Sequence, residues 1–307
     1  MTVHTRGLLI GLVTVLLFGI TVVLQAFLVE EGIKPFAAVG IRYLVAALVC
    51  LGIVVVTRRS ILPVKGERIP AVLLGAFVYG LQAVLFYSAL GYGTVASVSL
   101  LFYTYPVLVL VASLALGLRR WSWVAGGSAG LSVVGAALVV AAGHEVAIEP
   151  VGVAMALGSA CCVAVFLLAN KRLIPRTPAI VSATWVSFGV AAATLMLALL
   201  LGELETLSTR AWLILFISGA LTGLGTAGMY VVLALLGPAP ASVLLSLQTV
   251  VAILGSALVL GQSVLAGQFI GGVAILGAIA LMAFAARRES GATLPLAETS
   301  DVERKAR

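Results

Sequence analysis

The chain predicts an all-α membrane protein of ten transmembrane helices built as two inverted five-helix repeats, and three observations lead there. Hydrophobic residues make up 62% of the 307 positions and charged residues 9%, with a mean hydropathy of +1.23. A water-soluble domain could carry that balance only by exposing a very large apolar patch. Apolar stretches of about 20 residues, the length that crosses roughly 30 Å of hydrocarbon, recur along the whole chain. Finally, a block of sequence in the third and fourth stretches returns in the eighth and ninth.

Taken in order, the stretches are 7–28, 35–56, 70–90, 95–117, 122–142, 151–170, 178–201, 211–236, 239–260 and 266–286. The first is long enough to span, lacks a small-residue cleavage site and leads into more spans, so it reads as a helix and not as a removed signal peptide. The breaks are short and hold turn residues: Glu31-Gly32, Gly91-Tyr92-Gly93, Gly143-His144 and Gly237-Pro238-Ala239-Pro240. An open loop cannot leave backbone groups unpaired in lipid, and the alternating pattern of a barrel strand is absent, so the runs must be helices. From Arg287 the chain turns polar and is expected to be a disordered tail.

The repeat is specific in its spacing. Gly80-Leu81, Phe86-Tyr87 and Leu90 return as Gly223-Leu224, Met229-Tyr230 and Leu233. After a loop two residues longer, Ala96-Ser97-Val98, Leu100 and Thr104 return as Ala241-Ser242-Val243, Leu245 and Thr249. Downstream, Gly130 and Gly135-Ala136 match Gly272 and Gly277-Ala278; upstream, Pro35 matches Pro178, and Leu16 pairs weakly with Leu157. Matched blocks in the same order read as an internal duplication. The domain division is therefore 1–145, 146–286 and a tail 287–307.

The basic residues set the topology. Arg6, the loop with Arg58, Arg59, Lys65 and Arg68, then Arg119 and Arg120, then Lys171, Arg172 and Arg176, and the tail all fall on one side; only Lys34 and Arg210 fall on the other. Lysine and arginine collect on the cytoplasmic side of short loops, so both termini are expected in the cytoplasm of a plasma-membrane protein. The net charge of +7 is then a matter of topology, and a nucleic-acid partner is set aside. Five helices per copy is an odd number, so the second copy enters the membrane upside down. In that architecture substrate binds near the midplane and access alternates.

These residues carry a family resemblance. Phe86-Tyr87 with Leu90, Ala96-Ser97 and Pro106 in the first half, Tyr230 with Ala241-Ser242 in the second, and the glycine-rich helix closing each half resemble EamA-type members of the drug/metabolite transporter superfamily. The resemblance implies secondary transport of small metabolites, often amino-acid export. Many members carry Gly-Glu at the end of the fourth and ninth helices, whereas this chain has Gly117-Leu118 and Gly261-Gln262, so a role for that carboxylate is unsupported.

All eleven acids and both histidines, His4 and His144, fall outside the expected spans. Proton-driven carriers usually keep an ionisable group in the membrane, so facilitated diffusion or exchange is favoured. The same absence argues against a metal site, a carboxylate pair and a buried Ser-His-Asp triad; no cofactor is expected, and the chain reads as a non-enzyme. Cys50, Cys161 and Cys162 lie within apolar runs and imply no disulfide.

Arg42 is the only charged side chain inside a span, about 10 Å in from the end that begins at Pro35. It could hold a substrate carboxylate, or it could snorkel or bond helix carbonyls. The uncharged candidates for the substrate pocket are Gln25, Tyr79, Gln82, Tyr103, Trp185, Tyr230, Ser246 and Gln248, with Tyr79 and Gln82 on one face and Tyr103 and Gln248 at equivalent positions of the two copies. Aromatic walls with amide and hydroxyl handles suit an amphipathic solute, and each of these could equally be an interhelical bond. Gly126, Gly127 and Gly130 are expected to allow close helix packing. The functional expectation is a carrier, an exporter of amino acids or similar small amphipathic metabolites, acting as a monomer in the lipid bilayer. A carrier of phosphorylated or nucleotide sugars and a lipid-modifying enzyme are the alternatives.

Overall fold

The computed structural model describes residues 3–117, 123–141, 148–204, 207–236, 241, 244–262 and 264–292. The turns at 143–144 and 237–240, Arg119 and Arg120, Glu145, Glu205, Ser242-Val243 of the repeat and the tail beyond 292 lie outside them. Among the described residues every element is helical, apart from an isolated bridge between Gly93 and Ile148.

The helices are α1 Val3–Glu30, α2 Pro35–Val56, α3 Arg68–Ala89, α4 Val95–Ala115, α5 Trp123–Ala141, α6 Pro150–Leu173, α7 Ala179–Leu200, α8 Thr209–Leu236, α9 Leu244–Val259 and α10 Ala266–Ala292. Seven are long and apolar enough to cross a membrane, and shorter apolar runs in α5, α9 and α10 account for the other three. The repeat-equivalent Gly117 and Gly261 follow α4 and α9 with φ of 66° and 65°, the left-handed turn that glycine takes without a steric penalty.

Two expectations need correction. The last helix does not stop at 286 but continues to Ala292. Nor is α4 one continuous helix: it divides into Val95–Phe102 and Tyr105–Ala115 around Tyr103-Thr104. Pro106 has no N–H for the Phe102 carbonyl and disfavours helical backbone at the residue before it, so the ladder breaks there. The equivalent helix α9 is interrupted at Leu247, from which its main segment, Gln248–Val259, begins. A third irregularity is a π-helical segment, Leu74–Tyr79, immediately before the repeated Gly80.

The packing repeats as the sequence does. α1 lies on α8 as α6 lies on α3; α2 lies on α8 as α7 lies on α3; α1 lies on α9 as α6 lies on α4. The pairs α2 with α7, α4 with α9 and α5 with α10 each join a helix to its own counterpart. That pattern is what a two-fold axis between the halves produces, and because α1 and α6 are five crossings apart the axis lies in the membrane plane. Each half-bundle is thus mixed: α1, α2, α8 and α9 form one group, α3, α4, α6 and α7 the other, with α5 and α10 alongside.

The tightest crossings use glycine. A β-carbon on Gly75 would meet the Val186 carbonyl, one on Gly189 the Val72 carbonyl, and Gly135 and Gly271 would each strike the other's carbonyl at 2.7 and 2.5 Å. Gly127 and Gly130, by contrast, have nothing within 4 Å, so the expectation that they pack closely is corrected. They lie on the exposed side of α5, while Gly135 makes the crossing.

Carboxylates staple the two repeats together at both membrane faces, Glu67 within one group and Glu203 between the groups. At the face with the basic loops, Glu67 accepts from the Thr177 N–H (2.8 Å), the Thr177 hydroxyl (2.6 Å) and the Arg176 N–H (3.1 Å). At the other face, Glu203 accepts from the Ala37 N–H at 3.0 Å, in the first turn of α2. Burial would raise the Glu67 carboxyl, but the bonds from Thr177 and Arg176 and the Arg176 charge outweigh it and hold the group below its usual range. A depressed carboxylate contributes stability that is present above its ordinary pKa of about 4.3 and lost as pH falls through the lower folded value. Glu67→Gln is therefore expected to melt lower than the parent at pH 7, with the gap closing toward pH 3; a gap that stays constant with pH would contradict the staple.

Candidate functional site

Arg42 is 5% exposed. Its guanidinium lies 4.9 Å from the centroid of the Tyr43 ring, and it makes no ion pair or hydrogen bond among the described residues. It therefore does not bond helix carbonyls. Two acids at its end of the bundle are engaged elsewhere, Glu31 with Arg210 at 3.2 Å and Glu203 with the Ala37 N–H. Around it stand tyrosines: Tyr79 meets Tyr43 edge-on at 5.9 Å and leans on Phe166 of α6 at 4.7 Å, and the charge of Arg42 reaches both Tyr79 and Tyr87. Tyr230 of α8 lies within electrostatic reach of Tyr79. Burying one guanidinium costs about 2.5–3.5 kcal/mol on insertion scales, and a cation over an aromatic face recovers only about 0.5–2 kcal/mol.

A second polar set gathers at the helix breaks. Gln25, 3% exposed, donates Nε2 to the Thr21 carbonyl of its own helix, leaving Oε1 without a partner. Ser99 Oγ, Tyr103 Oη, Gln248 Oε1 and Thr249 Oγ1 are likewise buried without a partner. Each such group costs about 1–3 kcal/mol, and a native protein keeps few of them.

The remaining candidates are placed differently. Gln82 donates to Ser159 Oγ at 3.0 Å, and Ser159 returns a bond to the Gln82 carbonyl, so this amide joins α3 to α6. Gln82 and Tyr79 do both face α6. Trp185 donates its indole N–H to the Ile61 carbonyl and lines a shallow groove with Arg68, Ile69, Val72 and Leu73 at the basic face. Ser246 is buried beside the α9 break.

Sequence reasoning missed several residues. Tyr43 was masked by its neighbour Arg42, and Ser99 and Thr249 are too small to stand out in an apolar run. Gln268, 1% exposed, reaches across to Ser97 Oγ at 2.8 Å and Thr94 Oγ1 at 3.2 Å. Gln262, which stands where many relatives have Glu, accepts from the Val95 N–H at 3.0 Å and caps α4; a neutral carbonyl suffices for that.

The repeat also exposes an asymmetry. Tyr87 donates to the Ile33 carbonyl at 2.9 Å, tying α3 of one group to the start of α2 in the other, at the face away from the basic loops. Its equivalent is Tyr230, and the equivalent of Ile33 is Arg176, at the basic face. Tyr230 makes no hydrogen bond among the described residues. Gln262 and Gln268 also bridge toward the start of α4 at that face; the positions equivalent to their partners lie outside the described residues, so the asymmetry is that of Tyr87 and Tyr230.

Comparison with known proteins follows these observations. The sequence matches the EamA-like transporter family over residues 5–141 and again over residues 150–284. A protein of known crystal structure, 20% identical, aligns with 92% of this chain and 98% of its own at a TM-score of 0.66, which bears on the fold alone. No curated protein matches the chain.

Proposed function

The chain belongs to the EamA-like transporter family, and on that footing we propose that it is a plasma-membrane carrier exporting amino acids or similar carboxylate-bearing amphipathic metabolites, with both termini cytoplasmic and a single chain as the working unit. The observation that carries this reading is Arg42, a buried guanidinium with tyrosines around it and no anionic partner among the described residues. A solute carboxylate completes it: Arg–carboxylate bonds are charge-assisted and often bidentate, and a dry, aromatic-walled site strengthens them. A phosphorylated sugar brings about two negative charges and would call for further cations, whereas among the described residues Arg42 is the one cation placed away from the helix ends.

The test is uptake into liposomes holding the purified protein, against labelled amino acids, sugar phosphates and nucleotide sugars. Saturable transport of amino acids with none of the phosphorylated solutes is the expected result. The opposite preference would overturn it.

Alternating access between the two mixed groups is supported by the Tyr87 and Tyr230 asymmetry. Exchanging the roles of the repeats gives the other state, with Tyr230 bonded to the Arg176 carbonyl and Tyr87 released from Ile33. A hydrogen bond worth about 1 kcal/mol shifts such an equilibrium about fivefold. In a cysteine-free background, Tyr87→Phe is expected to increase labelling of a cysteine replacing Gln25 from the Lys34 side, and Tyr230→Phe to reduce it. Equal effects of the two changes would contradict a reciprocal gate.

A further inference from the structure

At the face with the basic loops, α3 and α7 leave between them a groove of about 270 Å³, lined by Arg68, Ile69, Val72, Leu73 and Trp185. It is open, and smaller than the pockets of about 300–1,000 Å³ that enclose a small ligand. Its polarity is graded. Arg68 is the first residue of α3, and Leu73 lies about 7 Å further along the helix axis, so the charge sits at the loop end and the apolar walls run inward.

The groove opens to lipid. Ile69 and Leu73 are 71% and 48% exposed, and Phe77 and Leu81, which continue the same row at i, i+4, are 70% and 51% exposed. In a membrane-spanning helix a row of uncovered large apolar side chains meets acyl chains.

The cationic end is held in place by the loop ahead of α3. The Trp185 indole donates to the Ile61 carbonyl at 2.8 Å, Arg68 Nε to the Pro63 carbonyl at 3.2 Å, and the Val64 N–H to Thr177 Oγ1 at 3.1 Å. Glu67, the acid next to Arg68 in the chain, is engaged by Thr177 and Arg176. The two Nη groups of Arg68 have no hydrogen bond or ion pair among the described residues, and Arg58, Arg59 and Lys65 stand in the same loop. A free guanidinium fork takes a phosphate bidentately, and tryptophan near a helix end is enriched at the level of lipid headgroups.

From this we infer that the groove between α3 and α7 seats an anionic phospholipid of the leaflet beside the basic loops, its phosphate on Arg68 and an acyl chain along Ile69, Leu73 and Trp185. Basic pockets between spanning helices are the usual seat of such headgroups. A second copy of the chain fits poorly, because a two-fold contact centred here would set Arg68 and its basic loop against their own copies. The inference goes beyond the transport reading and does not depend on which solute is carried.

The experiment takes the purified full-length protein in neutral detergent and titrates dioleoyl phosphatidylglycerol, dioleoyl phosphatidylcholine or inorganic phosphate. Bound lipid is read by native mass spectrometry and its effect by melting temperature. Wild type is expected to retain one phosphatidylglycerol per chain in preference to phosphatidylcholine and to melt higher with it, while inorganic phosphate at the same concentration does nothing. Arg68→Gln should lower phosphatidylglycerol retention at least about fivefold, the worth of one basic side chain beside anionic lipid. Arg172→Gln, the same loss of charge at the end of α6 and off the groove, should retain it as the parent does. Leu73→Trp fills the groove with every charge in place; it should also lower retention, and it decides the matter if Arg68→Gln does not fold.

Equal retention of the two lipids by wild type, or a loss in Arg172→Gln as large as in Arg68→Gln, would reduce the effect to diffuse surface charge and overturn the site. Unchanged retention in Leu73→Trp would overturn the groove as the seat of the chain. Stabilisation by inorganic phosphate equal to that by phosphatidylglycerol would overturn the lipid as occupant, as would a dimer that persists in phosphatidylglycerol and is abolished by Leu73→Trp.

Discussion

Arg42→Gln is expected to lower transport of carboxylate-bearing solutes by about tenfold or more, because the charge-assisted bonds it removes are worth about 1.5–3 kcal/mol. The loss should appear as weaker apparent affinity, with neutral analogues of the same shape carried as before. Arg42→Lys should recover part of the activity, since it keeps the charge and loses the planar fork. Folded yield is the control. Removing a buried cation that satisfies nothing in the protein relieves a cost, so the variant should fold at least as well as the parent. A uniform fall in yield and in transport of all solutes would mean that Arg42 is a packing residue.

The second large effect concerns stability. Gly75→Val and Gly189→Val each drive side-chain atoms into the backbone of the facing helix, where a β-carbon alone would already meet the Val186 or Val72 carbonyl. Overpacking costs about 1–3 kcal/mol, and more where backbone must move. We expect loss of monodisperse protein or a melting temperature lower by many degrees. Gly127→Ala and Gly130→Ala, on the open side of α5, should be neutral or slightly stabilising, because alanine is the better helix former. Equal damage at all four positions would contradict the packing described.

These glycines also show what the sequence can and cannot reveal. A run such as Gly126-Gly127 with Gly130 looks like a packing motif, but helical phase relative to a partner decides which glycine faces it, and phase is settled by the partner. The duplication was legible because Phe86-Tyr87 and Met229-Tyr230 hold their spacing, and with it came the two-repeat, all-helical architecture. The break in α4 could have been read from Pro106; its counterpart at Leu247 has no proline and could not. Arg42 announced itself by its charge. Its lack of a partner did not, since that depends on Glu31 and Glu203 being held by Arg210 and Ala37. Gln82 and Trp185 looked like pocket residues for the same reason as Tyr103, a polar group in an apolar run. Only their bonds to Ser159 and Ile61 set them apart.

Counterflow in proteoliposomes tests the central claim most directly. Vesicles loaded with unlabelled amino acid and diluted into a trace of the labelled one should take up label transiently above equilibrium, because a carrier that alternates between two faces returns faster when loaded. Carboxylates and histidine occur in the described helices only near their ends, His4 and Glu30 in α1 and Glu289 in α10, so an imposed pH difference should change the initial rate by less than about twofold. Uptake that is unaffected by internal substrate, or accumulation driven by pH alone, would contradict the account.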